Sequence, residues 1–141
     1  MRNIHLNQKQ REGIVIDTCG VIAILENPKT CFRMKKILSR KTRILVPDFV
    51  IRELKKVRNL SEYEVIPAIS SILRKPISIV RCNCDIRADA AQMESKYTKA
   101  HFPDTLLLAL AKFGAYAILS YDTGLISTAR AEGIKIIGDR R

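Results

Sequence analysis

The sequence has no apolar run long enough to cross a membrane. A membrane-spanning helix needs about 18 to 20 consecutive apolar residues, and no stretch of the 141 residues reaches that length. Residues 1–12 are polar and lack the apolar stretch of a secretory signal. We therefore expect a cytoplasmic protein without a membrane segment. We also expect a single domain over residues 1–141, with residues 1–12 as an N-terminal extension.

Acidic residues are scarce. The chain has 14 Asp and Glu against 25 Lys and Arg, a formal net charge of +11. Such an excess favours polyanionic partners, of which RNA is one. Lys35, Lys36 and Arg40 form one basic cluster, and Lys55 and Lys56 belong to another. Both clusters suit contact with phosphate, although solvated helix faces would have the same composition.

Several catalytic motifs are missing. The sequence has no G-x-G-x-x-G, no Walker lysine loop and no G-x-S-x-G, which argues against dinucleotide-binding, P-loop and α/β-hydrolase functions. The two histidines, His5 and His101, belong to no recognisable nucleophile or metal motif. The Cys82-x-Cys84 pair has no second Cys or His pair to complete a zinc site. We expect buried or partly buried free thiols at all four cysteines: Cys19, Cys31, Cys82 and Cys84.

Short β-branched runs alternate with longer helical segments along the chain. The predicted strands are Ile14–Ile16, Arg43–Val46, Ile77–Arg81, Ala117–Ser120 and Ile134–Ile137. The predicted helices are Thr18–Leu25, Lys29–Arg40, Asp48–Val57, Glu62–Leu73, Asp85–Tyr97, Pro103–Phe113 and Thr123–Ala131. This alternation predicts an α/β fold with three layers, α/β/α, around a central five-stranded parallel sheet. In such folds the active site lies beyond the carboxyl ends of the strands.

Four acids stand where that edge of the sheet is expected. Asp17 follows the first strand directly, and Asp122 follows the fourth strand. Glu53 lies about two turns into the third helix, and Asp104 opens an almost wholly apolar helix that leads into the fourth strand. Each acid alone could be a helix cap or a surface charge. Together, in a chain with few acids, they indicate one cluster.

A carboxylate cluster needs protons or cations. Two carboxylates about 5 Å apart repel by roughly 3 kcal/mol at an effective dielectric constant near 20. Mg²⁺ and Mn²⁺ suit a site made only of oxygen ligands. Such ions bind a scissile phosphate and lower the pKa of an attacking water. The acids and the basic surroundings therefore predict a metal-assisted phosphodiesterase.

With these residues the chain resembles the PIN-domain family from about Ile14 to Ile137. The similar segments are Val15-Ile16-Asp17-Thr18, Val50-Ile51-Arg52-Glu53-Leu54, Pro103-Asp104-Thr105 and Ser120-Tyr121-Asp122. The resemblance implies metal-dependent RNA cleavage with Mg²⁺ or Mn²⁺. It assigns catalytic and metal-binding roles to Asp17, Glu53, Asp104 and Asp122, with Thr18 and Ser120 as supporting hydroxyls. Cys19 stands where the family more often has Ser or Asn.

The resemblance leaves the biological role open. One branch of the family comprises VapC-type toxins, which are small endoribonucleases neutralised by an antitoxin and usually dimeric. Another comprises nucleases that process pre-ribosomal RNA. An alternative is a non-catalytic RNA-binding or scaffold module on the same fold, although a binder has no use for four acids facing phosphate. A receiver-like regulator also gathers acids at strand ends, but it would need a lysine that Asp122 lacks beside it. We expect an RNA substrate and a homodimer.

Overall fold

The computed structural model describes residues 13–39, 42–97 and 101–137. The strands are β1 (Gly13–Ile16), β2 (Arg43–Pro47), β3 (Ile77–Val80), β4 (Ala117–Leu119) and β5 (Ile136–Ile137). The helices are α1 (Thr18–Glu26), α2 (Pro28–Ile37), α3 (Asp48–Arg58), α4 (Glu62–Leu73), α5 (Cys84–Lys96), α6 (Asp104–Gly114) and α7 (Thr123–Ala131). Within these ranges no helix is both long and apolar enough to cross a membrane. The proposed N-terminal extension, residues 1–12, and Arg40 lie outside the described residues.

All five strands are parallel, in the order β3-β2-β1-β4-β5. The chain moves outward from β1 through β2 to β3, then crosses back to β4 and β5. Because parallel crossovers are right-handed, this order places α1 to α4 on one face of the sheet and α5 to α7 on the other. Accordingly, α1 packs against α3 and α4, and α5 packs along α6. The predicted three-layer α/β/α fold with a five-stranded parallel sheet is confirmed, and its topological switch point lies between β1 and β4.

The centre of the sheet and α6 form the core. All four residues of β1 are buried, as are residues 105–111 of α6. Burying one large apolar side chain contributes about 1.5–3 kcal/mol, so this apolar helix is strongly held against the sheet. The contact between α6 and β1 then places the start of α6 beside the end of β1. The apolar composition of the helix thereby positions Asp104.

Two predicted element boundaries differ from the structure by more than one residue. Helix α2 ends at Ile37, whereas the sequence predicted a helix to Arg40. Beyond the helix, the Ser39 N–H donates to the Thr42 hydroxyl oxygen at 2.9 Å, a local bond that competes with helix continuation. Strand β5 pairs only at Ile136–Ile137, because the turn after α7 occupies the preceding residues.

The sequence predicts Asp48 as the N-cap of α3 and Gly133 as the C-cap of α7, and each lies one position away from the cap in the structure. Pro47 is the last residue of β2, and Asp48 is the first residue of α3 instead of its N-cap. Helix α7 has Glu132 at its C-cap, and Gly133 follows with a φ of +75°. That left-handed conformation favours glycine, so Gly133 ends the helix as expected but from the position after the cap.

All four cysteines are free thiols, as predicted. Cys82 is buried and Cys31 is partly buried. The expectation of burial is wrong for Cys19 and Cys84, which are exposed. Both stand in the first turn of a helix that begins at the carboxyl edge of the sheet.

Glu132 ties three helices together at the end of the protein opposite the strand carboxyl termini. Its carboxylate accepts hydrogen bonds from Lys112 Nζ at 2.7 Å and Lys96 Nζ at 3.1 Å, and from the Tyr97 hydroxyl. The side chain is only 5% exposed. The hydrogen bonds from Lys112, Tyr97 and Lys96 lower the pKa of Glu132 from 4.5 to about 2. This carboxylate therefore links α5, α6 and α7 into one layer.

Replacing Glu132 with Gln should destabilise the fold by about 1–3 kcal/mol at neutral pH, because charged hydrogen bonds are lost. Since the folded pKa lies below 4.5, the wild-type contribution is present above that pH and disappears as the pH falls toward 2. The two proteins should therefore converge in stability in acid. Urea unfolding across this pH range measures the effect, with Glu94→Gln, an exposed acid of α5, as the control. Equal stability of wild type and Glu132→Gln at neutral pH would rule this role out.

Candidate active site

Asp17 and Asp122 stand on either side of the topological switch point. Asp17 follows β1 and caps α1, and its Oδ1 accepts a 2.6 Å hydrogen bond from the Gly20 N–H. Asp122 follows β4 and caps α7, and its Oδ1 accepts a 3.0 Å hydrogen bond from the Leu125 N–H. The two acids are therefore helix caps, as their positions suggested. Each cap uses only Oδ1.

Glu53 and Asp104 reach the same edge from the two helix layers. Glu53 lies on α3 and accepts a hydrogen bond from the hydroxyl of Thr18, the first residue of α1. Asp104 is the first residue of α6, on the opposite face of the sheet. The sheet edge and both layers thus contribute to the site, whose four acids, Asp17, Glu53, Asp104 and Asp122, are named the acid cluster from here on.

The pKa of Asp17 is raised at this site. Burial is the largest cause that raises its pKa from 3.8 to about 6, and the charges of Asp104 and Asp122 raise it further. Hydrogen bonds from Ser120 and Gly20 act in the opposite direction. Asp17 is 8% exposed, so its charge is poorly solvated. A cation at this edge would stabilise the ionised form.

The pKa of Asp104 is also raised. Burial again comes first in raising its pKa from 3.8 to about 6, followed by the charges of Asp122 and Glu53. His101 lowers the pKa in part. The acids therefore lie within electrostatic reach of one another, as the sequence predicted.

The pKa of the Cys19 thiol is affected by all four acids of the cluster. Burial is the main cause that raises the pKa of its thiol, and all four acids raise it further. The Cys19 side chain is exposed at the surface beside Asp17 and Thr18. All four acids therefore lie within electrostatic range of Cys19, a side chain that solvent can reach.

Ser120 and Thr18 contact the acids, as the resemblance implied. Ser120 is wholly buried, and its Oγ accepts a 3.1 Å hydrogen bond from the Asp122 N–H. Its hydroxyl also hydrogen-bonds to Asp17. Ser120 thus joins the acids that end β1 and β4, whereas Thr18 joins α1 to Glu53. Their supporting roles in catalysis stay predictions.

Gly20 permits the close packing beneath Asp17 and was not singled out from the sequence. A Cβ at this position would lie 2.8 Å from Ile16 Cγ2, 2.8 Å from the Leu119 carbonyl oxygen and 3.1 Å from Asp17 Oδ1. Only glycine therefore lets the first turn of α1 approach the ends of β1 and β4 so closely. The signal in the sequence is a glycine three residues after an acid that ends a strand.

The acids are close, but their oxygens do not converge on one point. Across residues 13–39, 42–97 and 101–137, no three His, Cys, Asp or Glu side chains form a group that could hold one ion. Hydrogen bonds from Thr18, Gly20 and Leu125 hold three of the acids in their present orientations. The donor chemistry nevertheless fits Mg²⁺ or Mn²⁺, because every donor is a carboxylate oxygen. The pKa values of Asp17 and Asp104 also show uncompensated repulsion that a divalent cation would relieve.

The lysines predicted to contact RNA are all exposed. Lys55 and Lys56 lie in the last turn of α3, within one turn of Glu53. Lys35 and Lys36 lie in the last turn of α2, where Lys36 Nζ stands 4.5 Å from the centre of the Phe32 ring. The structure thus places the α3 pair near the acid cluster and shows no such contact for the α2 pair. The fifth residue of the set, Arg40, is outside the described ranges.

The fold and the site define a class of protein: an open parallel α/β sheet with acids gathered at its topological switch point, beside basic helices. The chain belongs to the PIN-domain family, since residues 14–137 match the profile of that family. No curated protein sequence matches the chain significantly.

Solved structures share the fold at low sequence identity. VapBC2 from Rickettsia felis, bound to a DNA fragment from their promoter, superposes with a TM-score of 0.65 at 14% identity, over 89% of this chain and 97% of that chain. VapBC-1 from nontypeable Haemophilus influenzae gives 0.67 at 14% identity, over 89% and 96%. FitAcB from Neisseria gonorrhoeae gives 0.61 at 18% identity, also over 89% and 96%.

Proposed function

We propose that the protein is a metal-dependent endoribonuclease that hydrolyses RNA phosphodiester bonds at the acid cluster. The observation that carries this proposal is the placement of four acids at the switch point of the sheet, where the ends of β1 and β4 and both helix layers each contribute one. The pKa values of Asp17 and Asp104, raised to about 6, agree with this placement, because burial of each carboxyl comes first among the causes and neighbouring acids add to it. A formal charge of +11 and membership of the PIN-domain family support a nucleic-acid substrate.

In this mechanism Asp17, Glu53, Asp104 and Asp122 would hold Mg²⁺ or Mn²⁺. The bound ion supplies Lewis-acid chemistry to the scissile phosphate and lowers the pKa of the attacking water. The chain contributes orientation. Ser120 positions Asp17 and the Asp122 backbone through hydrogen bonds to both. Thr18 positions one oxygen of Glu53 in the same way. Asp17 and Asp104, whose pKa values are raised to about 6, would have to be ionised to hold such an ion.

We further propose a toxin-type role with an antitoxin partner, acting in the cytoplasm. The VapBC and FitAB assemblies share the fold, which favours this branch of the family over the one that processes pre-ribosomal RNA. We place the surface for this partner on α2, where Phe32 is 63% exposed beside a depression lined by Pro28, Lys29, Arg33 and Lys36. A homodimer stays part of the proposal, and light scattering of the purified protein tests it.

A second candidate is a non-catalytic RNA-binding module. The absence of a ready three-ligand group among the described residues favours it. The raised pKa values oppose it, since a site that only binds phosphate gains nothing from four crowded acids. The two functions differ in whether RNA is turned over.

Metal removal tests the proposal. Wild-type protein should cut labelled RNA with Mg²⁺ or Mn²⁺, lose the activity in EDTA and regain it with excess metal. Cleavage should rise as the pH increases through about 6, because ion binding displaces protons from Asp17 and Asp104. Salt-sensitive RNA binding without cleavage would favour the binding module. Cleavage that EDTA leaves unchanged would contradict the metal mechanism.

A further inference from the structure

Phe102 exposes a large aromatic ring beside the acid cluster. Its side chain is 63% exposed, and it belongs neither to the core nor to the partly buried residues that pack against it. Only Pro103 separates it from Asp104. Since adjacent Cα atoms are at most about 3.8 Å apart, the Cα atoms of Phe102 and Asp104 are at most about 7.6 Å apart. Phe102 is therefore an exposed aromatic side chain within two residues of a member of the acid cluster.

The segment that carries Phe102 is anchored to α6. The Thr105 N–H donates to the His101 carbonyl oxygen at 3.2 Å, and the Leu106 N–H donates to the Pro103 carbonyl oxygen at 3.0 Å. Thr105 and Leu106 are themselves buried in the core. The backbone on either side of Phe102 is therefore tied to the helix that positions Asp104.

An aromatic ring next to a phosphate-cleaving centre has a natural ligand. Proteins recognise single-stranded RNA by stacking unpaired bases on exposed aromatic side chains, and this contact tolerates any base because each has a π face. A base within a duplex is already stacked and paired, so a ring at this position cannot reach its face. His101, exposed beside Phe102, carries a side chain that can donate a hydrogen bond to phosphate.

We propose that Phe102 is a stacking platform for a nucleobase next to the scissile phosphate. This inference rests on the proposed function. Phe102 acts on substrate binding, and the acid cluster performs the chemistry.

The chain offers a matched control at the other end of the same helix. Phe113 lies near the end of α6 and is 61% exposed, almost the same as Phe102. It lies about nine residues along α6 from Asp104, or roughly 13 Å at 1.5 Å per residue. Each variant thus loses one phenylalanine ring of nearly equal exposure, whereas the distance from the acid cluster differs.

The experiment measures binding separately from cleavage. Short single-stranded RNAs that contain 2-aminopurine at successive positions are titrated with protein in EDTA, and fluorescence reports both affinity and base stacking. Phe102→Ala should bind roughly 5- to 150-fold more weakly than wild type, the range for loss of one base–aromatic stack. Phe102→Tyr should retain wild-type affinity. Phe102→Leu should bind RNA as weakly as Phe102→Ala, because leucine keeps apolar bulk without a π face. Phe113→Ala should match wild type.

Further readouts decide between the explanations. With 2-aminopurine at one position of the RNA, wild-type protein should change the fluorescence and Phe102→Ala should not. For a duplex of the same sequence, wild type and Phe102→Ala should have the same affinity. Equal RNA affinity of Phe102→Ala and wild type would overturn the proposal and leave the nuclease intact. The proposal also fails if Phe102→Leu binds like wild type, or if Phe102→Ala changes only the oligomeric state. Wild-type protein that neither binds nor cuts any RNA would overturn both proposals.

Discussion

Replacing Asp104 with Asn should abolish metal-dependent RNA cleavage, with a loss of roughly a thousandfold or more. The amide keeps the shape of the side chain but removes the negative charge that a divalent ion needs. The fold should persist, because the change removes a carboxylate whose pKa is raised by burial and by Asp122 and Glu53. Single-turnover cleavage of labelled RNA measures the loss, and circular dichroism checks the fold.

Asp85→Asn is the matched control for this substitution. Asp85 also lies in the first turn of a helix that begins at the carboxyl edge of the sheet, but it follows β3 and is exposed. A general effect of losing an acid at a helix N-terminus would therefore appear in both variants. Asp85→Asn should therefore cleave RNA at the wild-type rate. Equal activity of Asp104→Asn and wild type would remove Asp104 from the site.

Replacing Asp17 with Asn should stabilise the metal-free protein near neutral pH by up to about 3 kcal/mol while removing activity. The folded pKa of Asp17 is about 6, above its ordinary 3.8, so the folded state holds this proton more tightly than the unfolded state. The contribution of Asp17 to wild-type stability is therefore largest below about pH 4 and falls as the pH rises toward 6. Asn removes the ionisation and still caps α1, because Asn caps helices about as well as Asp.

Denaturant unfolding in EDTA across this pH range tests the second prediction. The wild-type free energy of unfolding should decline between about pH 4 and 6. The decline should be smaller in Asp17→Asn, in which Asp104 still contributes to it. Saturating Mn²⁺ should reverse the order at neutral pH, since ligand binding stabilises only the protein that retains the site. If Asp17→Asn is no more stable than wild type at neutral pH in EDTA, the crowding at this edge has been misjudged.

The fold was predictable because its causes are local and repetitive. Uniformly apolar strands such as Ile14–Ile16 indicate burial on both faces, and intervening helices require parallel crossovers. An acid directly after a strand, as at Asp17, then falls at the carboxyl edge whatever the detailed packing. The apolar helix after Asp104 likewise had to be central. These patterns were sufficient to identify the members of the acid cluster.

The details of the site depend on contacts that no sequence pattern encodes. The buried Ser120 hydroxyl that joins Asp17 to the Asp122 backbone depends on the spacing between β1 and β4. The requirement for Gly20 arises from the Leu119 carbonyl oxygen, a residue distant in sequence. The exposure of Phe102 could be recognised only once the core was known to exclude it. The early end of α2 at Ile37 reflects a local side-chain bond that helix periodicity does not predict.

Direct titration of Mn²⁺ into the purified protein tests the central claim, that the acid cluster binds a divalent metal. Calorimetry at about pH 7 should show binding to wild type. At about pH 5, below the pKa values of Asp17 and Asp104, binding should be weaker and accompanied by release of protons from these two acids. Asp104→Asn should bind much more weakly, and Asp85→Asn should bind as wild type does. Equal affinity of wild type and Asp104→Asn for Mn²⁺, or no binding by either, would contradict the account.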